Sequence, residues 1–171
     1  MTVKFSNVGV IGAGAMGRGI AQIAAQAGSQ VLLLDSFEGA AARGREALLA
    51  QWRKQLDKGK LDAAQCDALA SRVQAVESVQ ALAACDLVIE AVVEDLEVKR
   101  ALFRELESVV SPSAVLASNT SSLSVTAIAT ALKQPQRMAG FHFFNPVPLM
   151  KVVEVVAGFK TEPEVCRQVA D

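Results

Sequence analysis

The segment Gly12-Ala-Gly-Ala-Met-Gly17 constrains this chain more than any other, because three glycines at this spacing mark backbone that must crowd against something. In such a G-x-G-x-x-G turn the first glycine makes a tight bend. The second leaves room for a ligand against the backbone, and the third lets helix and strand pack closely. The flanking sequence supplies the elements that the turn must join. Val8-Gly-Val-Ile11 is a short apolar run rich in β-branched residues and reads as a buried strand. Ile20, Ile23 and Ala24 recur at helical spacing, and Gly28 stands where that helix should end. Val31-Leu-Leu-Leu34 is a second buried strand, closed by Asp35. Strand, turn, helix and strand within about thirty residues form a βαβ unit with a right-handed crossover.

A helix that opens on glycines leaves its first N–H groups free and its positive dipole end exposed, which suits a pyrophosphate. Asp35 lies 18 residues after Gly17, within the range for a carboxylate that accepts hydrogen bonds from an adenosine ribose. The pattern therefore implies a dinucleotide site built from Gly12, Ala13, Gly14, Ala15, Met16, Gly17 and Asp35. A carboxylate at that place repels a 2′-phosphate, so NAD is expected rather than NADP, although Arg18 and Arg43 stand close in sequence.

Downstream the helical pattern runs from Glu38 to about Leu56, with a shorter helix from Asp62 to Leu69 and a weak strand at Val73–Val76. Leu87 to Val93 is a strong strand, apolar on both faces, and Asp95 to Val109 an amphipathic helix. Val115–Ala117 is a further strand, and Ser124 to Leu132 is helical. Met138–Phe144 and Lys151–Val156 are extended runs reversing at Asn145-Pro-Val-Pro148, so antiparallel strands follow a mainly parallel start. Thr161-Glu-Pro-Glu164 matches a capping box that would open another helix.

With 171 residues, 51% of them apolar and 20% charged, the chain is long enough for one packed domain and too apolar for wholesale disorder. A net charge of −1 gives no electrostatic footprint for nucleic acid. No apolar run approaches the ~18–20 residues of a membrane span. The three cysteines, Cys66, Cys85 and Cys166, are far apart and form no Cys-x-x-Cys pair, so neither a disulfide framework nor a metal site is expected. These features predict a soluble, cytoplasmic protein of a reducing compartment.

Two polar constellations lie in or just after predicted strands. His142, the one histidine, lies within Gly140-Phe-His-Phe-Phe-Asn-Pro146, and Glu154 interrupts an otherwise apolar strand. Counted from a turn near Pro148, the two are equidistant and face each other across the antiparallel pair. A carboxylate on one imidazole nitrogen fixes the tautomer and raises the basicity of the other, as a dehydrogenase base requires. The alternative is a structural ion pair. Ser118-Asn-Thr-Ser-Ser122 follows a buried strand at the edge where open α/β sheets bind ligands. At least one of these serines caps the helix that starts near Ser124, and a second is free for a substrate oxygen; spacing does not say which.

Together Gly12 to Ala21, Asp86-Leu-Val-Ile-Glu-Ala-Val-Val-Glu-Asp95, Ser118-Asn-Thr-Ser-Ser-Leu123 and Gly140-Phe-His-Phe-Phe-Asn-Pro-Val-Pro148, with Glu154 beyond, resemble the L-3-hydroxyacyl-CoA dehydrogenase family over nearly the whole chain. The resemblance implies an α/β, Rossmann-type doubly wound domain over residues 1–160, with 161–171 beginning a second, all-helical domain that the chain does not contain. It implies an NAD-dependent oxidoreductase of fatty-acid β-oxidation or related acyl-CoA metabolism, acting on the C3 hydroxyl of a 3-hydroxyacyl-CoA. In that reading His142 is the base, Glu154 its orienter, Ser121 the hydrogen-bond donor to the reacting oxygen, and Asn145 a neighbour of substrate and nicotinamide. Glu94 and Lys99 are implied contacts of the nicotinamide end, and Lys54, Lys58 or Lys60 of coenzyme A. The resemblance also implies a homodimer through the helical domain, and little turnover by this chain alone. A non-catalytic dinucleotide-binding module, and a dehydrogenase of a free hydroxy acid or sugar acid, remain as alternatives.

Overall fold

In the computed structural model residues 4–170 are described, and they form a seven-stranded sheet with helices on both faces. Met1–Val3 and Asp171, the outer ends of the two segments assigned above, lie outside the described residues. The elements follow in the order β1 (Asn7–Ile11), α1 (Ala15–Ala27), β2 (Gln30–Leu34), α2 (Ala40–Asp57), α3 (Ala63–Arg72) and β3 (Val73–Val76). After a 3-10 turn at Val79–Leu82 come β4 (Leu87–Glu90), α4 (Leu96–Val109), β5 (Val115–Ser118) and α5 (Val125–Ala129). A second 3-10 turn (Pro135–Arg137) leads to β6 (Met138–Phe143), β7 (Val153–Ala157) and α6 (Pro163–Ala170).

The strand order is β3-β2-β1-β4-β5-β6-β7, parallel throughout except for the antiparallel β6–β7 pair. This is the doubly wound Rossmann order, and it reverses direction between β1 and β4. Strand parity sorts the core into two. Val8, Val10, Leu87, Ile89, Val115 and Ala117 pack on the side of α1, α2, α3 and α6. Ile11, Val88 and Leu116 face Phe103, Leu106 and Ile128 on the α4 and α5 side.

The glycines of the first turn are crowded as the sequence pattern requires. Gly12 has φ 104°, and a Cβ built on it would lie 2.4 Å from the Ala91 carbonyl oxygen. A Cβ on Gly17 would lie 1.7 Å from the Gly12 oxygen. Around Gly14, by contrast, a Cβ meets nothing within 4 Å. Helix α1 ends at Gly28, whose left-handed φ of 108° lets its N–H reach Ala25 O and the Ser29 N–H reach Ala24 O.

The structure corrects several element boundaries. β4 stops at Glu90 rather than Val93, because the Val92 N–H turns back onto the Glu90 carboxylate instead of continuing the ladder. α5 is limited to Val125–Ala129, and Ser124 is its capping residue, accepting from the Ala127 N–H. The Thr161 capping box does not form. Its hydroxyl donates to Met138 O and accepts from the Gly158 N–H, so α6 starts one residue later than that box implies, at Pro163. β7, expected as an otherwise apolar strand from Lys151, begins at Val153 and is the sheet edge, with Val156 exposed and Val152 exposed just before it. No helix among the described residues is long and apolar enough to cross a membrane.

The two glycines make opposite predictions. Gly17→Ala is expected to cost about 3 kcal/mol or more in a urea unfolding titration, since backbone must move to admit its methyl. Gly14→Ala is expected to stay within about 1 kcal/mol of wild type.

Candidate active site

Every candidate residue of the glycine turn lies at the carboxyl edge of the parallel strands. Gly14 is extended at the head of α1 and offers no side-chain cap, and the first turn carries no acidic residue. The amides there are therefore free for an anion. Asp35, just past β2, accepts the Ala13 N–H at 2.6 Å on one oxygen and the Phe37 N–H at 2.9 Å on the other. Its carboxylate thus ties the turn to the neighbouring strand and keeps lone pairs for a ribose. A groove of about 440 Å³ beside it is lined by Ser36, Phe37, Glu38 and Glu77 among others. Open space over Gly14, free amides and an acid one strand away fit a bound dinucleotide.

On the same edge, β6 and β7 place His142 opposite Glu154, the register predicted from the turn. The His142 Nδ1 lies 2.9 Å from Glu154 Oε2. A carboxylate only accepts, so Nδ1 carries the proton and Nε2 of the neutral ring has a free lone pair. Phe144 packs on the imidazole with ring centroids 4.7 Å apart. Asn119, which sequence reasoning passed over, accepts the Phe143 N–H at 2.9 Å and so fastens the His142 strand to the end of β5. Asn145 is exposed at the start of the connection that follows, before a cis Asn145–Pro146 bond.

The loop after β5 is held by Glu94. One carboxylate oxygen of Glu94 accepts the Thr120 hydroxyl, the Ser121 N–H (3.0 Å), the Ser122 N–H (3.2 Å) and the Ser122 hydroxyl (3.2 Å). The other lies 3.2 Å from Lys99 Nζ. Ser121 itself is exposed, and its hydroxyl has no partner among the described residues, which leaves it free for a substrate. Partial burial alone would raise the Glu94 pKa, but the hydrogen bonds from Thr120 and Ser122 and the bond and charge of Lys99 outweigh it, lowering the value from 4.5 to about 2.

Lys99 is 1% exposed and sits beneath the surface, between Glu94 and the buried Glu90, 2.5 Å from the latter. Glu90 also accepts from the Val92 N–H and the Ser118 hydroxyl, both at 2.7 Å. Glu90 was another omission. Its signal was legible: strand parity points it, like Val88, toward α4, where Lys99 holds the buried stripe with Phe103 and Leu106. Lys54 and Lys58 are not gathered at this centre. They project, exposed, from the end of α2, as does Lys60 in the turn beyond. A groove of about 390 Å³ between α1, α2 and the loop after β6, lined by Gln22, Gln51 and Leu149, approaches them without including them.

The model of the 3-hydroxyacyl-CoA dehydrogenase NAD-binding domain matches residues 7–171. The chain belongs to this family. Relatives of the family include the 3-hydroxyadipyl-CoA dehydrogenase of Escherichia coli, 48% identical over all of this chain and 36% of its own length. A probable 3-hydroxybutyryl-CoA dehydrogenase of Deinococcus radiodurans is 45% identical over 95% of this chain and 58% of its own. The crystal structure of a 3-hydroxybutyryl-CoA dehydrogenase from Escherichia coli superposes with a TM-score of 0.94 at 49% identity, covering 96% of this chain and 35% of that one. The chain thus spans between about a third and three fifths of these relatives. NAD is the dinucleotide of the NAD-binding domain family, in agreement with the acid at Asp35.

Glu94 gives the site a pH signature. Its folded pKa lies below the ordinary value, so its stabilisation is complete above about pH 4.5 and is lost as pH falls toward about 2. The side chain is 36% exposed, and solvent screening leaves about 1–2 kcal/mol of that shift. Wild type is expected to exceed Glu94→Gln by this margin in unfolding titrations at neutral pH, and the gap is expected to close at about pH 2.

Proposed function

We propose that this chain carries the NAD-binding and proton-transfer half of a 3-hydroxyacyl-CoA dehydrogenase, oxidising the C3 hydroxyl of an L-3-hydroxyacyl-CoA or reducing the corresponding ketone. The observation that carries this reading is the 2.9 Å His142–Glu154 pair on the sheet edge that also bears the glycine turn. A dinucleotide module without chemistry needs the turn and Asp35 but has no use for an oriented base.

Bound NAD supplies the two-electron acceptor for the hydrogen that leaves C3. The chain's residues do the rest. His142 Nε2 takes the hydroxyl proton, and Glu154 stabilises the imidazolium that results. In the ketone direction the same nitrogen returns the proton to oxygen. The Ser121 hydroxyl donates a hydrogen bond to the reacting oxygen, its loop held by the bonds to Glu94. Asn145, exposed beside the His142 strand, is assigned to the substrate and nicotinamide. Gly12 to Gly17 hold the pyrophosphate and Asp35 the adenosine ribose.

The acyl-CoA class is supported by the names of the relatives and by the groove along α1 and α2, whose lining residue Gln51 lies one helical turn before Lys54. Lys54 and Lys58 are assigned to coenzyme A phosphates. The Glu154 side chain is 55% exposed, so water competes for the pair when nothing else covers it. By itself the chain is expected to oxidise NADH with acetoacetyl-CoA slowly or not at all, and normal turnover in that assay would contradict this.

NAD titration by calorimetry tests the assignment of roles. Asp35→Ala and Gly14→Ala are each expected to lose about tenfold or more in affinity, the first through the ribose and the second through a methyl in the pyrophosphate space. His142→Ala is expected to bind within about twofold of wild type, because its part is proton transfer, while any turnover the chain supports falls about 10²–10⁴-fold. Equal loss of affinity in Asp35→Ala and His142→Ala would mean that the roles are misassigned.

A further inference from the structure

We propose that Glu90, which lies inside the fold, sets the net charge at the nicotinamide end of the site and thereby biases the chain toward the oxidised dinucleotide. The inference rests on the reading above and gives a positioning role to a residue that touches neither cofactor nor substrate. Glu90 is 0% exposed, and its carboxylate is held by the Val92 N–H, the Ser118 hydroxyl and Lys99 Nζ. Lys99 is equally enclosed and reaches a second carboxylate, Glu94. Of the three charges only Glu94 meets solvent.

Two carboxylates and one ammonium sum to one negative charge. Lys99 alone would cancel Glu94. With Glu90 behind it, the lysine charge is already matched, and the negative charge of Glu94 acts outward. That charge sits within one residue of the Ser121 hydroxyl, since its oxygen accepts the Thr120 hydroxyl and the Ser121 and Ser122 amides. The oxidised nicotinamide ring is a cation and the reduced ring is neutral. A fixed negative charge beside it favours the first over the second, more strongly in a site that excludes water than in bulk solvent. The lowered Glu94 pKa of about 2 keeps that charge present across the working pH range. Glu90 is therefore more than a partner that satisfies a buried lysine: it decides how much of the Glu94 charge is felt.

Dissociation constants of NAD+ and NADH, measured by fluorescence and calorimetry on the full chain, test this by charge arithmetic. The trio sums to −1 in wild type, 0 in Glu90→Gln, 0 in Glu94→Gln and −1 again in the double variant Glu90→Gln/Lys99→Met. The ratio Kd(NAD+)/Kd(NADH) is expected to rise about fivefold in both single variants, the size of one unit charge acting across a partly wet site. It is expected to return to within about twofold of wild type in the double variant. A purely structural anchor behaves differently: both nucleotides weaken by one factor, and the double variant is no better than the single. The double variant leaves no buried charge unpaired, so comparing it with Glu94→Gln answers the question even if Glu90→Gln does not fold. A wild type that binds both nucleotides while its variants keep an unchanged ratio would overturn this inference alone. Failure of wild type to bind either nucleotide would overturn the dinucleotide reading itself, and this inference with it.

Discussion

The ion pair between Glu90 and Lys99 is shut away from water, and three segments that face the site hang from it. Taking a carboxylate and an ammonium out of water costs several kcal/mol each, and their attraction offsets this only when every remaining hydrogen-bonding position is filled. Here Val92 and Ser118 hydrogen-bond the Glu90 carboxylate, and Glu94 gives Lys99 a second partner. The net gain in stability from such a pair is small, so its consequence is geometric. It ends β4 by turning Val92 inward, seats α4 against the sheet through Lys99, and fixes the end of β5 through Ser118. The Ser118 hydroxyl also accepts the Thr120 N–H, which carries the constraint into the loop bearing Ser121.

From that loop the order passes to His142, the proposed base. Asn119 lends its side-chain oxygen to the Phe143 N–H, so the strand containing His142 is held in step with β5 beyond the last regular parallel pair, Ser118 with Gly140. Hydroxyl and imidazole are therefore positioned by one connected set of hydrogen bonds. On the other side of β1 the arrangement is of a different kind. The glycine turn is shaped by backbone contact, Gly12 on Ala91 and Gly17 on Gly12, with side-chain ties from Asp35 to the Ala13 N–H and from Arg18 to the Ala13 carbonyl.

How much of this could be read from the residues depended on whether local pattern or long-range contact decided the outcome. The βαβ unit, the parallel strands and the antiparallel end were legible, because apolar runs punctuated by glycine and proline leave few alternatives. The His142–Glu154 pairing was legible too, since a reversal of known centre fixes which residues face each other. Thr161 misled because two acceptable uses of one hydroxyl compete. A capping box was available locally, but Met138 O and the Gly158 N–H drew the side chain away. β7 misled for a related reason: a valine-rich strand looks like core whether its outer edge is paired or bare. Lys99, implied as a contact of the nicotinamide end, lies on the buried stripe of α4 at the spacing of Phe103 and Leu106, a place that its acid partners make tenable.

On the proposed function, these two modes of construction divide the work between binding and chemistry. Backbone amides and steric contacts in the first third of the chain depend on no titrating group except Asp35, so the dinucleotide half can be assembled by one βαβ unit and its neighbours. The proton-transfer half depends on side chains at the far edge of the sheet, where Glu154 stands half in water on a strand with none beyond it among the described residues. A base in that position is oriented but not enclosed. In water its hydrogen bond to Glu154 is weakened by competition and screening, and its effect on the reacting oxygen is diluted in the same way. On the proposed function, the residues that would hold the nucleotide lie in this part of the fold, whereas proton and hydrogen transfer at His142 would gain from a surface covering β6 and β7. That reading assigns affinity and turnover to separate parts of the fold.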